Sequence, residues 1–430
     1  MKRTFRSFPV NDVIRVKEQM LSWGSQFSIC CYLDDNQYRL HEHRFECVLA
    51  VNAVKFLHPA NATAFEQLQE FVDENKDWCF GHLSYDLKNE IEDLQSENAD
   101  SIGFDALFFF VPEIILILCS GELLVGLHHH AHEEIIRDVL GRPPVVSPRS
   151  VFPAGVIKSR FSKEEYIETI QQLQQHISRG DCYEINFCQE FYVDYAEIDP
   201  LEVYRALNRV SPNPFSCYYR LDDKYLLCAS PERYLQKNGN RVISQPIKGT
   251  SRRDNSNHDA DILYRTSLQQ SLKERSENIM IVDLVRNDLS KVCREGTVKV
   301  DELMGVYSFP QVYQMISTIS GEVEESKRVT DILKASFPMG SMTGAPKRKV
   351  MQLIEKHEKT KRGLFSGSVG YITPDRNMDF NVVIRSILYN SSNRYLSFQT
   401  GSAITANSCA EDEYEECLLK ADAIKKVLNG

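Results

Sequence analysis

The hydrophobic and polar positions of the chain separate segments with a helical period from alternating or continuous apolar strands. The first part shows two helical and three strand patterns: helices at 13–23 and 64–75, and strands at 27–33, 106–111 and 114–118. Residues 142–153 then form a proline-rich connector, which is typical of a boundary. We therefore predict an N-terminal part, residues 1–150, and a second part, residues 151–430.

The second part alternates strands with longer helices. Ser162, followed three residues later by Glu165, forms a capping box and predicts a helix that ends at Gly180. The other predicted helices are 259–292, broken near Thr266, then 331–336, 347–357 and 412–428. The predicted strands are 183–193, 215–221, 225–230, 241–244, 312–323, 367–373, 380–388 and 395–406.

Connections between successive strands are too short for parallel crossovers, so the sheets should be antiparallel. The prediction is an α+β fold with helices packed outside large sheets. With 430 residues, 42% of them hydrophobic, the chain can bury a large core.

Charge and composition narrow the function. No apolar run is long enough for a membrane helix, no signal peptide is recognisable, and the twelve cysteines form no Cys-x-x-Cys pair, so we expect a cytoplasmic protein with reduced thiols. A formal net charge of −10 argues against nucleic-acid or anionic-membrane partners. An anionic substrate would need a metal ion or a few converging cations.

Lys248, in Pro-Ile-Lys-Gly-Thr, is the strongest nucleophile candidate because it follows a strand and precedes a glycine that allows close approach of a ligand. An ordinary lysine is neutral in only about one molecule in 2,500 at pH 7. A nucleophilic role therefore predicts dry or cation-rich surroundings. A solvated turn lysine is the alternative.

Two pairs of glutamates share helical spacing. Glu274 and Glu277 are three residues apart on one predicted helix, and Glu413 and Glu416 repeat the spacing on the last one. Each pair projects from one helical face, and oxygen ligands of this kind suit Mg²⁺. Either pair alone could equally be a solvated surface.

Glu232 ends an apolar strand in Ser-Pro-Glu-Arg, where burial would raise its pKa and suit a general acid. The turn at 237–240 would place Glu232 and Lys248 on neighbouring antiparallel strands. A glutamate paired with arginine for structural reasons is the alternative.

Three further positions could contact an anion. The start of the helix after Gly340-Ser-Met-Thr-Gly-Ala-Pro-Lys347 exposes free backbone N–H groups. Arg385, inside a predicted Val- and Ile-rich strand, needs an anionic partner, and Tyr371 could supply a hydroxyl beside it. Purely structural roles remain open for all three.

These motifs, in this order, resemble those of the chorismate-utilizing enzymes over residues 161–427. The resemblance also includes Val-Asp-Leu-Val-Arg-Asn-Asp-Leu at 282–289 and Glu-Tyr-Glu-Glu-Cys-x-x-Lys at 413–420. It implies two antiparallel sheets packed face to face with helices outside, with residues 1–150 completing the sandwich around the chorismate-binding part.

Because it has lysine at position 248, this chain resembles the aminodeoxychorismate synthase component I branch of the family. The resemblance implies that Lys248 attacks C2 of chorismate, Glu232 protonates the departing C4 hydroxyl, and ammonia from a separate glutamine amidotransferase subunit yields 4-amino-4-deoxychorismate for para-aminobenzoate and folate synthesis.

The resemblance also implies a binding site around these two residues. It implies Mg²⁺ held by Glu274, Glu277, Glu413 and Glu416, and substrate contacts from Arg385, Tyr371, Ser341, Thr343, Gly344, Lys347, Gly401, Ala403 and Lys420.

Several positions depart from the family pattern. Glu184 stands where glutamine is common, Gln314 where histidine is common, and Gly401-Ser402-Ala403 where Gly-Ala-Gly is usual. Two alternatives stay open: an anthranilate synthase component I, and a catalytically silent chorismate-binding protein.

Overall fold

The computed structural model describes residues 3–38, 42, 44–59, 63–128, 131–143, 154–254, 256–309 and 312–429. Most of the connector, residues 144–153, lies outside this part. The strands in the described part are β1 (Thr4–Pro9), β2 (Ile29–Asp34), β3 (Cys47–Leu57), β4 (Cys79–Leu83), β5 (Leu107–Cys119), β6 (Glu122–Leu127), β7 (Lys158–Ser159), β8 (Glu184–Val193), β9 (Phe215–Leu221), β10 (Lys224–Ser230), β11 (Arg233–Asn238), β12 (Arg241–Gln245), β13 (Ile247–Arg252), β14 (Lys299–Ser308), β15 (Val312–Glu322), β16 (Gly344–Ala345), β17 (Ser368–Ile372), β18 (Met378–Asn381), β19 (Ser386–Asn390) and β20 (Tyr395–Ile404).

The α-helices of the described part lie mainly between strands of the second half. They are α1 (Val13–Gly24), α2 (Ala64–Asn75), α3 (Lys88–Glu92), α4 (His132–Leu140), α5 (Lys163–Ser178), α6 (Pro200–Val210), α7 (His258–Gln270), α8 (Leu272–Ser290), α9 (Val329–Ser336), α10 (Lys347–His357) and α11 (Ala410–Asn429). None of these helices is long and apolar enough to cross a bilayer.

The strands form one antiparallel ladder that divides at β3 and β5 into two arms. One arm runs from β1 through β6, β5, β3, β2, β9, β10, β19 and β20 to β8. The other runs from β5 through β4, β17, β18, β11 and β12 to β15, which also pairs with β13 and β14. The predicted antiparallel α+β architecture is confirmed.

Side-chain alternation explains why the arms stack and the helices lie outside. On β2, Cys31 enters a core shared with Leu235 and Phe380 of the second arm, whereas its neighbour Cys30 enters a second core with Met20 of α1. Successive side chains of a strand point to opposite faces, so each apolar strand of the first arm serves both cores.

Three predicted elements differ in the structure. Strands 106–111 and 114–118 are the single strand β5, which accommodates Pro112 next to a register shift in β3. The predicted helix 259–292 is divided at Ser271, whose hydroxyl accepts a hydrogen bond from the Glu274 amide and caps α8. The predicted strand 380–388 is interrupted between β18 and β19.

Candidate active site

Glu232 is buried and lies immediately before β11, the first strand of the β11–β12 hairpin. The predicted turn joins β11 to β12 and pairs Arg233 with Gln245, and Glu232 before this hairpin lies close to Ile247 after it. Lys248 itself lies on β13, which pairs with β15 and not with β11 as predicted. The Ser341 hydroxyl donates a hydrogen bond to Glu232 Oε1 at 2.6 Å. Burial raises the pKa of Glu232 to about 7, although Ser341 and Lys248 act in the opposite direction. A carboxyl group with this pKa can donate a proton at neutral pH.

Lys248 is buried at a register shift between β13 and β15. Its ammonium group donates a hydrogen bond to Glu184 Oε1 at 2.7 Å. Burial alone would lower the pKa of Lys248, but Glu184 and then Glu277 outweigh it and raise the pKa above its usual value. The surroundings of Lys248 are dry, as a nucleophilic role predicts, but they are rich in anions instead of cations, and these anions favour the ammonium form in the free protein.

Gly249 allows the backbone beside Lys248 to approach a carboxylate. Its φ of +99° lies in the left-handed region, and a Cβ at this position would stand 3.1 Å from Glu274 Oε2. The glycine after the lysine thus brings β13 against the first turn of α8.

The four motif glutamates converge on Lys248 and Lys273 from α8 and α11. Lys273 lies 2.8 Å from Glu413 and 3.9 Å from Glu416. Burial raises the pKa of Glu277 to about 7, with further increases from Glu184 and Glu274. Burial also raises the pKa of Glu274, and the charge of Glu416 raises it further.

The carboxylates fit a divalent cation, although they are not arranged as a finished metal cluster. In the described part of the chain, no three acidic, histidine or cysteine side chains are grouped closely enough to hold an ion. However, Glu277 Oε1 and Glu413 Oε2 are buried and have no hydrogen-bond partner among the described residues. Buried carboxylate oxygens of this kind need a donor or a cation. Among the described residues, Lys273 pairs with Glu413 at 2.8 Å, and Lys420 pairs with Glu416 at 2.7 Å.

Arg385 supplies a second positive charge that interacts with Glu232. It adopts a φ of +49° between β18 and β19, not the predicted strand conformation. Burial lowers its pKa to about 10, whereas Glu232 and Tyr38 oppose the change, so it stays charged at neutral pH. None of the described residues accepts a hydrogen bond from its guanidinium group, which leaves it available for an anion.

Tyr371 does not lie beside Arg385, and this prediction is corrected. Its ring packs against those of Phe45, Trp78 and Phe80 with centroid distances of 5.5–6.0 Å. Tyr371 lies in the core between the arms together with Val369, two residues earlier on the same face of β17. Tyr38, which sequence reasoning missed, is the tyrosine that interacts electrostatically with Arg385.

The segment from Gly340 to Lys347 positions Ser341. Asn186 at the start of β8 donates hydrogen bonds to the backbone oxygens of Ser341 and Thr343. Gly344 has a φ of +143°, and a Cβ there would stand 2.1 Å from the Glu184 carbonyl oxygen. Gly344 thus allows the close pairing of β16 with β8, next to the residue that binds Lys248.

The side chains of Thr343 and Lys347 both make hydrogen bonds within the protein. The Thr343 hydroxyl is fully buried and donates to Met339 O at 3.1 Å. Lys347 Nζ donates to Asp288 Oδ2 at 2.5 Å and to Ser336 O at 2.9 Å. Sequence spacing cannot show these internal hydrogen bonds, and substrate contacts of Thr343 and Lys347 remain predictions.

Gly401, Ala403 and Lys420 lie where β20 meets α11. Lys420 Nζ donates to Gly401 O at 3.0 Å and pairs with Glu416 at 2.7 Å. Lys420 thus joins the strand to a candidate metal ligand. Ala403 pairs with Asn186 in the ladder, close to the start of β8. Substrate contacts of these three residues remain predictions.

Comparison with known proteins shows which sequences and folds this chain resembles. A family model described as chorismate binding enzyme matches residues 22–426. Aminodeoxychorismate synthase component 1 of Escherichia coli is 37% identical over 351 residues, 81% of this chain and 76% of that protein. Anthranilate synthase component 1 of Aquifex aeolicus is 30% identical over 369 residues, 81% of this chain and 73% of that protein. The crystal structure of anthranilate synthase component I from Streptococcus pneumoniae has a TM-score of 0.78 at 24% identity, covering 90% of this chain and 93% of that one.

Proposed function

Because this chain belongs to the chorismate binding enzyme family, we propose that it acts as an aminodeoxychorismate synthase component I. The observation that carries the proposal is Lys248, a buried amine with a carboxylate partner at 2.7 Å and an electrostatic interaction with Glu232. If ammonia itself attacked C2, no nucleophilic side chain would be needed at this position. A reaction through a covalent intermediate does need one, and Lys248 can serve as that nucleophile.

The proposed reaction begins with loss of one proton from Lys248. The neutral amine forms a bond to C2 of chorismate, the two ring double bonds shift, and the C4–O bond breaks. Glu232 gives its proton to the departing hydroxyl, which leaves as water. Ammonia then forms the C4–N bond as the C2–N bond to Lys248 breaks, and Glu232 takes the extra proton from the new amine.

Charge pairing supports the binding of a dianion. Arg385 would bind one substrate carboxylate, and Glu274, Glu277, Glu413 and Glu416 would hold Mg²⁺. When bound, this ion would neutralise the other carboxylate. We further propose that a separate glutamine amidotransferase subunit supplies the ammonia, and that the protein acts in the cytoplasm.

The test is the covalent intermediate. Chorismate and MgCl₂ without ammonium should add mass to the intact protein, and peptide mapping should place the addition on Lys248. Lys248→Ala should give neither the adduct nor 4-amino-4-deoxychorismate when ammonium is supplied. Turnover that persists in this variant, without a modified peptide in the wild type, would refute the covalent mechanism.

Anthranilate synthase is the second candidate because a relative of that name is 30% identical to this chain. Its product is fluorescent and needs no lyase. Strong fluorescence from chorismate and ammonium alone would favour it. Chorismate binding without any Mg²⁺-dependent consumption would indicate a silent binding protein instead.

A further inference from the structure

A small, partly enclosed cavity of about 20 Å³ adjoins Glu232. Glu232 and its hydrogen-bonded partner Ser341 form part of the wall, and Ser336 and Asp288 contribute other polar groups. Val285 of α8 adds an apolar side chain. A cavity of this volume can hold one molecule the size of water when polar partners are present.

A short chain of ion pairs runs from the cavity wall to the protein surface. Asp288 in its wall binds Lys347 at 2.5 Å and Lys291 at 3.0 Å. The Lys291 side chain is 52% exposed, whereas Asp288 is 3% exposed. The cavity thus lies between the candidate acid and the protein surface on the side of α8.

We propose that this cavity holds ammonia beside Glu232 before it adds to the ring, an inference that rests on the proposed function. Ammonia is as small as water and has three N–H donors and one lone pair. The wall contains two carboxyl groups and four hydroxyls, of Tyr234, Ser244, Ser336 and Ser341, whose oxygens can accept hydrogen bonds from ammonia.

The position suits the second half of the reaction. After the C4 hydroxyl has left as water, Glu232 is a carboxylate. Ammonia leaving the cavity forms the C4–N bond through its lone pair, and the C2–N bond to Lys248 breaks. The proton released from the new C4 ammonium passes to Glu232, which returns to its starting state. A co-substrate stored against Glu232 therefore lies next to the group that must accept its proton.

Filling the cavity should impair only the ammonia step. Val285→Leu adds one methylene group at the wall, and Val285→Ile is the milder version if the leucine variant does not fold. The kcat/KM for ammonium should fall about tenfold or more, while ammonia-free adduct formation on Lys248 stays within about twofold of the wild type. Val282→Leu, one turn earlier on α8 and equally buried but outside the wall, is the matched control.

Enlarging the cavity should admit a larger nucleophile. Val285→Ala, assayed with chorismate, MgCl₂ and methylammonium at alkaline pH, should form an N-methylated product detectable by mass. The wild type and Val282→Ala should form little or none. A gain of this kind cannot result from general damage to the fold.

The outcomes separate the cavity from the reaction itself. Parallel losses of adduct formation and ammonia use in the Val285 variants, or no change in either, would overturn the ammonia site and leave a cavity filled by ordinary water. Equal use of methylamine by the wild type would overturn it as well. A wild-type protein that forms neither adduct nor aminated product would instead refute the proposed function.

Discussion

At the scale of single residues, the two central ionisable groups both have raised pKa values, for different reasons. The pKa of Glu232 is raised by loss of water, which favours the protonated acid that the first step of the proposed reaction needs. The pKa of Lys248 is raised by neighbouring carboxylates, which favour the ammonium form, and an ammonium group cannot act as a nucleophile. One proton must therefore leave Lys248 first, and Glu184 Oε1 is the acceptor within 2.7 Å.

Glu184→Gln should shift the pH dependence of adduct formation. Removal of the anion lowers the pKa of Lys248, so the neutral amine becomes available at lower pH. In a plot of the rate of adduct formation against pH, the rising limb should shift to lower pH by about one pH unit or more. Glu184→Asp keeps the charge and should stay closer to the wild type. An unchanged limb in Glu184→Gln would show that Glu184 does not control the protonation of Lys248.

Glu232→Gln should slow both adduct formation and turnover by about 10²–10⁴-fold, because the amide retains the size of the side chain without its acidic proton.

In the wild type, adduct formation limited by this acid should decline above a pH of about 7. Ser341 lowers the pKa of Glu232, so Ser341→Ala should move that decline to higher pH. A decline at the wild-type pH in Ser341→Ala would argue against Glu232 as the titrating acid.

At the scale of elements, the site depends on how strand β13 meets helices α8 and α11. The cap at Ser271 begins α8 immediately before Glu274, and the register shift in β13 turns Lys248 toward the same carboxylates. The backbone at Gly249 has to approach Glu274 closely for this arrangement.

Gly249→Ala should weaken Mg²⁺ binding, as measured by calorimetry, because its Cβ would press on Glu274 Oε2. Gly239→Ala is the matched control, since Gly239 also has a positive φ, +58°, but open space around its Cβ position. Both variants should lose about 1 kcal/mol of folding stability from backbone strain. Equal Mg²⁺ affinity in the two variants would contradict the proposed contact.

At the scale of the whole molecule, the candidate metal site joins two helices that are far apart in sequence. A cation bound between α8 and α11 would stabilise the folded chain, since ligands that bind only the native state raise its stability. It would also have to replace the contacts that Lys273 makes with Glu413 and Glu416.

Saturating Mg²⁺ should therefore raise the thermal unfolding midpoint of the wild type, and EDTA should reverse the effect. At about 100 times Kd the gain corresponds to about 2.7 kcal/mol. Glu277→Gln and Glu413→Gln should lose most of this increase.

Lys273→Met should increase Mg²⁺ affinity because it removes a competing charge. A midpoint that does not respond to Mg²⁺ in any of these proteins would refute the metal site.

Much of the framework was predictable because it depends on local signals. The structure confirms the capping box at Ser162, the hairpin after Arg233 and most of the predicted strands. These features were predictable because hydrophobic periodicity, turn residues and helix caps act over only a few residues. The interruption at Arg385 was not predictable, since an apolar run continues through it and only contacts with neighbouring strands show the break.

The sequence by itself determined the α+β class, the antiparallel pairing, the chorismate-binding family and the acid, lysine and glutamate motifs, because these are properties of residue type and spacing. Only the tertiary structure decided which motif residues face one another. It paired Lys248 with Glu184, placed Tyr38 instead of Tyr371 near Arg385, and committed Lys347 to Asp288. The physical reason is that charge and hydrogen bonding act through space, between residues more than fifty positions apart in the chain.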